Sequence, residues 1–353
     1  MDNIFNNVYV ETSMVYELIT AMFRVQNYEQ LMPKETKLKD KVSEKHGSWI
    51  HYVRSSMSEE MKKELDIFFN IDSFFGLSLN SSIWKYRMHK DVHEFIDFFS
   101  KEVTAKEMVM KFMETGYHDE EIDTKFIENI QSLDEAMEII KKGSLQEQEK
   151  WKLFYLYSDA ENTKKRFLKL ISAFYEQFFV KKMEDIRKFQ QDSLRNIKQS
   201  LENDDFQKIE KILSIKYDYV KDIKEIILVP SYFYSTTTSI SCSDDNILLA
   251  IFGMDLLDSD LQQEEKAEII EALKCISDEK RIKIIQLLNQ NDYYGYEIAQ
   301  KLNLANSTTS HHLSLLMKYR IINSIREDNK IYYEVDNNRI NEILTRFEKL
   351  LTK

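Results

Sequence analysis

Residues that break helices are scarce in this sequence: 353 positions hold 6 glycines and 2 prolines, far below the usual share of a globular chain. Glycine and proline are costly inside helices. Their scarcity, beside plentiful Lys, Glu, Leu and Ile, predicts a mainly α-helical protein. Cysteine is nearly absent too. Cys242 and Cys275 stand far apart with no CxxC spacing, which argues against a disulfide framework and a zinc knuckle. No apolar run approaches the ~18 residues of a membrane-spanning helix. The opening MDNIFNNVYV lacks the basic start and apolar stretch of a secretory signal. A cytoplasmic protein without membrane contact is therefore expected. GxGxxG, Walker-type and GxSxG loops are also missing, so no cofactor and no catalytic residue is predicted.

What is present fills two regions of different character. The length suits two domains with a sizeable core, and an aromatic fraction of 12% argues against disorder. The spacing predicts a helical domain over 1–255, a linker over 256–263 and a second domain over 264–353. In the first, Met14, Leu18 and Met22 with Val15, Ile19 and Phe23 form a broad apolar helix face. Ser58 before Glu59 and Glu60 reads as a helix start. Capping boxes fall at Thr104/Glu107, Ser132/Glu135 and Ser144/Glu147. A long helical period runs from Glu161 to about Leu201. One passage reads as strand: Glu225–Val229, ended by Pro230, and Asn246–Phe252, with a Ser/Thr-rich loop or edge hairpin between them.

The second domain orders its elements as helix, short helix, turn, helix and hairpin. Asp278 can cap a helix with Ile282, Ile285 and Leu288 on one face. Ile298, Ala299 and Leu302 make the apolar side of the next. Asn303 suits the corner because Asn tolerates positive φ. In the third helix, from about Ser307 to Arg320, Ser307, Ser310, His311, Ser314 and Lys318 share one side, opposite Thr309, Leu313 and Leu316. Short hydrogen-bonding groups with one cation and no long acid are suited to reading base edges in a major groove. Glu327-Asp328-Asn329-Lys330 can turn a hairpin into the alternating strand Ile331–Val335.

This block resembles the DNA-binding domain of the arsenic-repressor (ArsR) family of winged-helix regulators. The resemblance is carried by Asp278-x-x-Arg281-Ile282, Glu297-Ile298-Ala299, Leu302-Asn303-Leu304, Ser307-Thr308-Thr309-Ser310-His311-His312-Leu313 and Lys330-Ile331-Tyr332-Tyr333. It covers the last quarter of the chain. It implies a homodimeric transcription regulator that binds double-stranded DNA through Asn306, Ser307, Thr308, Ser310, His311, Ser314 and Lys318. Arg326 and Lys330 would act from the wing. It further implies a dimer interface from terminal helices, here Ile270, Leu273, Ile340, Ile343, Leu344, Phe347 and Leu351. In metal-responsive members cysteines stand just before Glu-Ile-Ala. Tyr294 and Tyr296 occupy those positions here, so no metal site is expected.

Charge agrees with a focused DNA contact. Residues 261–353 hold 14 basic and 14 acidic side chains, while the remaining 260 hold 35 against 46. The whole excess of −11 therefore lies outside the winged-helix block. Binding must then rely on few cations and on helix N-termini near phosphates. His89-x-x-x-His93 would bring two imidazoles to one helical face, near Asp91 and Glu94, but position 92 is Val and no zincin pattern results. The expected function is a regulator whose helical domain binds a small-molecule effector or a partner. The alternative is a small-molecule-binding protein or enzyme that uses its winged helix only to dimerise.

Overall fold

The computed structural model describes residues 1–32, 39, 42–115, 127, 130, 132–201, 206–215, 220, 222–243, 245–257, 269–291, 293–327 and 330–351. They form two compact units, Met1–Leu257 and Asp258–Lys353. The chain is mainly α, with a small sheet in each unit, as its composition predicts.

The first unit is built on a five-stranded sheet. Its strands are β1 (Asp2–Phe5), β2 (Val8–Val10), β3 (Glu225–Ser231), β4 (Thr238–Ser243) and β5 (Ile247–Gly253), in the spatial order β1-β2-β3-β5-β4. β2, β3 and β5 run parallel, and β1 and β4 are antiparallel edges. Parallel strands are normally covered on both faces, and the side chains here divide accordingly. Ile227, Val229, Leu249 and Ile251 join the large helical core. Ile226, Leu228, Leu248, Ala250 and Phe252 face a smaller cluster with Val8, Val10, Ile197, Ile209 and Ile212.

Two details depart from the sequence reading, and a third settles an alternative it left open. The N-terminal hairpin was not anticipated: β1 and β2 turn at Asn6, which takes a left-handed φ of 46°. Pro230 does not end its strand but pairs in register with Phe252. Leu228 accepts from the Glu11 amide at 2.9 Å, so Leu228 and, two residues on, Pro230 both point their backbone polar groups toward β2. β2 has already ended there, so the missing proline N–H forfeits no ladder bond. Of the loop and the edge hairpin left open for the Ser/Thr-rich passage, the hairpin is observed: it ends in the edge strand β4, antiparallel to β5, and Gly253 allows its preceding loop to close. A Cβ at Gly253 would stand 1.8 Å from the Ser235 carbonyl oxygen.

The helix α1 (Met14–Gln26) runs through the middle of this unit. Ser13 caps it by accepting from the Tyr16 amide, and every residue from Val15 to Val25 is buried. Glu17, Thr20 and Arg24 are therefore interior polar groups on an otherwise apolar helix. Helices also begin at Ser58, Thr104 and Ser132 as the caps predict. The box at Ser144 is displaced: that helix starts at Glu147 with Gln146, and not Ser144, at its N-cap position. The long period after Glu161 becomes one continuous helical track. It comprises Ala160–Phe174, a π-helical turn Tyr175–Phe179, a short 3-10 turn Val180–Lys182, and α2 (Met183–Leu201). His89 and His93 do not share a helix face. Asp91 caps the helix Val92–Lys101, which leaves His89 before it and buried, with His93 on its exposed side. Leu256 and Leu257, at the start of the predicted linker, pack against the smaller cluster. Residues 258–263 lie outside the described residues. Among the described residues no helix is long and apolar enough to cross a membrane.

Candidate nucleic-acid interface

The second unit begins with helix α3 (269–276) and then α4 (Glu279–Leu288). Asp278 caps α4 as its position predicts, its carboxylate accepting from the Lys280 and Arg281 amides at 3.1 Å each. Burial works against that charge, but the Arg281 amide and guanidinium hold the carboxyl below its ordinary range. The buried face of α4 is Ile284, Ile285 and Leu288. Ile282, predicted on that face, is 38% exposed, because two apolar neighbours at 284 and 285 rotate the stripe by roughly 50° and leave Ile282 beyond its edge.

The short strand β6 (Tyr293–Tyr294) leads into α5 (Gly295–Lys301), where Glu297 accepts from the Tyr294 amide at 3.2 Å. Asn303 takes the predicted left-handed turn, φ 52°, and the Leu304 amide closes it onto the Ala299 carbonyl at 2.9 Å. Helix α6 (Asn306–Lys318) follows from Ala305 at its N-cap. Its inner side is Thr309, His312, Leu313 and Leu316, all buried. Its outer side carries Asn306, Ser310, His311, Ser314 and Lys318, all exposed, with Thr308 half-buried. The side chain of Ser307 lies outside the described residues. The division that periodicity predicted is thus the division observed, and the outer face has one cation and no carboxylate.

The hairpin consists of β7 (Ile322–Glu327) and β8 (Lys330–Val335), paired from Ile322↔Val335 to Glu327↔Lys330. β6 adds on the far side of β8, giving the order β6-β8-β7. Asp328 and Asn329, expected to turn the hairpin, and the side chains of Arg326 and Lys330 lie outside the described residues. Helix α7 (Asn337–Leu351) closes the unit. Of the seven residues predicted at a dimer interface, Ile343 is 0% exposed and belongs to the domain's own core. Leu273, Ile340 and Phe347 pack partly against that core. Ile270, Leu344 and Leu351 are exposed, Leu344 at 48% and Leu351 at 69%.

His312 was not singled out by sequence. Both its ring nitrogens are buried without a partner, as is Thr309 Oγ1. Burial pushes the His312 imidazole below its ordinary pKa, with Arg281, Lys280 and His311 adding to that effect and Asp278 opposing it. Its inward direction follows from 100° spacing, since it lies three positions from Thr309 and four from Leu316. Tyr294 stacks on Tyr296 at 6.4 Å and meets Tyr332 edge-on at 6.0 Å. Cys275 is buried, and burial pushes its thiol up. Among the described residues no group of three or more His, Cys, Asp or Glu is placed to hold a metal ion.

Comparison with known proteins agrees with this geometry. Residues 278–324 match the family described as "Bacterial regulatory protein, arsR family". Over 63 residues the chain is 36% identical to the transcriptional repressor SdpR of Bacillus subtilis (strain 168), covering 18% of this chain and 70% of that one. It is 34% identical over 68 residues to the cadmium resistance transcriptional regulatory protein CadC of Listeria innocua, covering 19% of this chain and 57% of the relative. Among solved structures, NolR from Sinorhizobium fredii is 27% identical over 25% of this chain and 90% of its own, with a TM-score of 0.22. The winged unit has the elements, in order, of a winged helix-turn-helix, and the family match lies wholly within it.

Proposed function

Since the chain belongs, through its C-terminal unit, to the arsR family of bacterial regulatory proteins, we propose that it is a homodimeric, sequence-specific DNA-binding transcription regulator controlled through residues 1–257. The observation that carries this reading is the outer face of α6. In a chain with 60 acidic residues, five exposed positions of that helix hold Asn, Ser, His, Ser and Lys. A face that only met water would carry long acids. A face that enters a major groove disfavours them, because phosphates line its approach.

Ser310 and His311 read base edges, Asn306, Ser307, Thr308 and Ser314 support them, and Lys318 meets a phosphate. Arg326 and Lys330 add backbone contacts from the wing. The exposed Ile270, Leu344 and Leu351 form the symmetric contact between two copies, which sets the half-sites about one helical turn apart. The regulator does not respond to metal: phenols at 294 and 296 are poor ligands for soft ions. Its place is the cytoplasm, with the DNA it regulates.

The test is selection of bound fragments from the source genome by the full chain. A shared motif with two half-sites, lost when Ser310→Ala and His311→Ala are combined, supports the reading. Random fragments, or equal enrichment by the variant, overturn it. Cadmium or zinc added to the bound complex should leave its affinity unchanged.

A further inference from the structure

The two edges of the first unit's sheet are finished differently. β1 is four residues long, shifts register between Asn3 and Phe5, and carries Asp2 in an ion pair with Lys198. Short length, irregular register and charge are devices that keep a sheet edge from pairing with another chain. β4 has none of them. It is six residues long, TSISCS, and pairs with β5 at every step from Thr238↔Phe252 to Ser243↔Ile247. In a chain that is 31% charged, this strand holds no charged residue and no proline. Its open groups follow from its pairing. The Gly253 amide donates to the Thr237 carbonyl at 3.0 Å, and along an antiparallel strand the residues that bond to a given neighbour alternate. Ser239, Ser241 and Ser243 therefore turn their backbone groups to β5, while Thr238, Ile240 and Cys242 turn theirs away from it. Among the described residues no hydrogen bond reaches those outward groups, and Ile240 and Cys242 are exposed.

We propose that β4 pairs with β4 of a second copy of this chain, antiparallel about a two-fold axis at Ile240, so that the two sheets become one. The proposal rests on the reading that the protein is a homodimer. Centred there, Ile240 stands opposite the partner's Ile240 and Thr238 opposite the partner's Cys242, each at a hydrogen-bonded position. In this register every outward N–H and C=O of β4, on both copies, finds a partner within the other β4. A strand paired with its own copy sets like residues near like, which penalises charge. TSISCS has none, and its small side chains let the two edges approach. Selection of a different protein is normally made by complementary charge, and this edge offers none.

The contact is too small to hold two copies by itself. An edge of this length runs about 20 Å, and one such edge against another buries far less than the roughly 1,000 Å² that a stable interface needs. It closes once a second contact tethers the copies and raises their effective concentration to the order of millimolar. A closed isologous dimer has one two-fold axis, so the edge pair and the contact between winged units share it.

The test is a thiol cross-link in the full chain. Residues opposite each other at a hydrogen-bonded position have Cα atoms about 5.5 Å apart, within reach of a disulfide. Under mild oxidation with copper phenanthroline, the Thr238→Cys variant should join its new thiol to the partner's Cys242. A covalent dimer on a non-reducing gel, with positions 238 and 242 linked in peptide mass mapping, is the expected result. Within one strand those positions lie about 13 Å apart, so the bond can form only between copies. Should that variant misfold, Ile240→Cys with Cys242→Ser should instead link position 240 to itself. Adding Ile240→Lys to Thr238→Cys sets two like charges face to face at the axis and should cut the yield at least tenfold. An equal yield there marks a collisional cross-link and overturns the edge pair, as does a linkage between other positions. No cross-link in a chain that sediments as a dimer overturns the edge pair and leaves the homodimer standing. A chain that sediments as a monomer overturns both.

Discussion

Glu17 sits fully inside α1, and its protonation should set how the first unit's stability depends on pH. The carboxylate accepts from the Tyr232 amide at 2.7 Å and from the Ser231 hydroxyl at 3.1 Å. Burial nevertheless dominates and pushes its pKa from 4.5 to about 7, against those bonds and the nearby Lys45 charge. A raised folded pKa means that folding favours the protonated form. The stabilisation is complete below pH 4.5 and is lost as pH rises through about 7. With 1.36 kcal/mol per unit, the loss across this window is about 3 kcal/mol. Glu17→Gln keeps the acceptor oxygen and cannot ionise. It should match the wild type near pH 4.5 and exceed it by about 3 kcal/mol above pH 7. Urea unfolding of the full chain, followed by tryptophan emission at unit steps from about pH 5 to about pH 8, measures the difference. Parallel curves, or a variant weaker than wild type at the alkaline end, would refute the argument.

The wing, the dimer face and the strand ends give three further expectations. Arg326→Ala with Lys330→Ala should weaken binding to all DNA sequences and flatten the plot of log K against log[salt] by roughly one phosphate contact per residue; an unchanged slope would mean that the wing points away from DNA. Leu344→Glu with Leu351→Glu should shift the full chain from dimer to monomer in analytical ultracentrifugation without lowering helix content, because both side chains are exposed. A dimer that persists would place the interface elsewhere. Gly253→Ala should destabilise the first unit by about 1–3 kcal/mol, since the added carbon meets the Ser235 backbone oxygen. A neutral result in urea unfolding would show that the loop over β5 can move aside.

The winged unit was legible because each of its elements is set by contacts within a few residues. Asp278 caps the next turn, Asn303 tolerates the left-handed corner, and the period of α6 sorts Ser310 and His311 outward from Thr309 and Leu313. The alternation of Ile331, Tyr333 and Val335 likewise needs only the pleat of one strand. Ile282 and Ser144 were misread within the same local grammar: two adjacent isoleucines and a later Gln146 cap shifted the stripe and the helix start.

Residues 1–257 show where such reasoning stops. Their helical character, several caps and the two apolar strands β3 and β5 follow from sequence alone, since propensity and period act locally. That Val8–Val10 pairs in parallel with Ile226–Leu228 does not, because the two segments lie more than 200 positions apart and no spacing rule joins them. Pro230 stays in its strand only because β2 ends beside it. Glu17 becomes a titrating group only because α1 is buried on every side. Local contacts are written in neighbouring residues, whereas burial belongs to whichever distant segments the tertiary structure brings around a side chain.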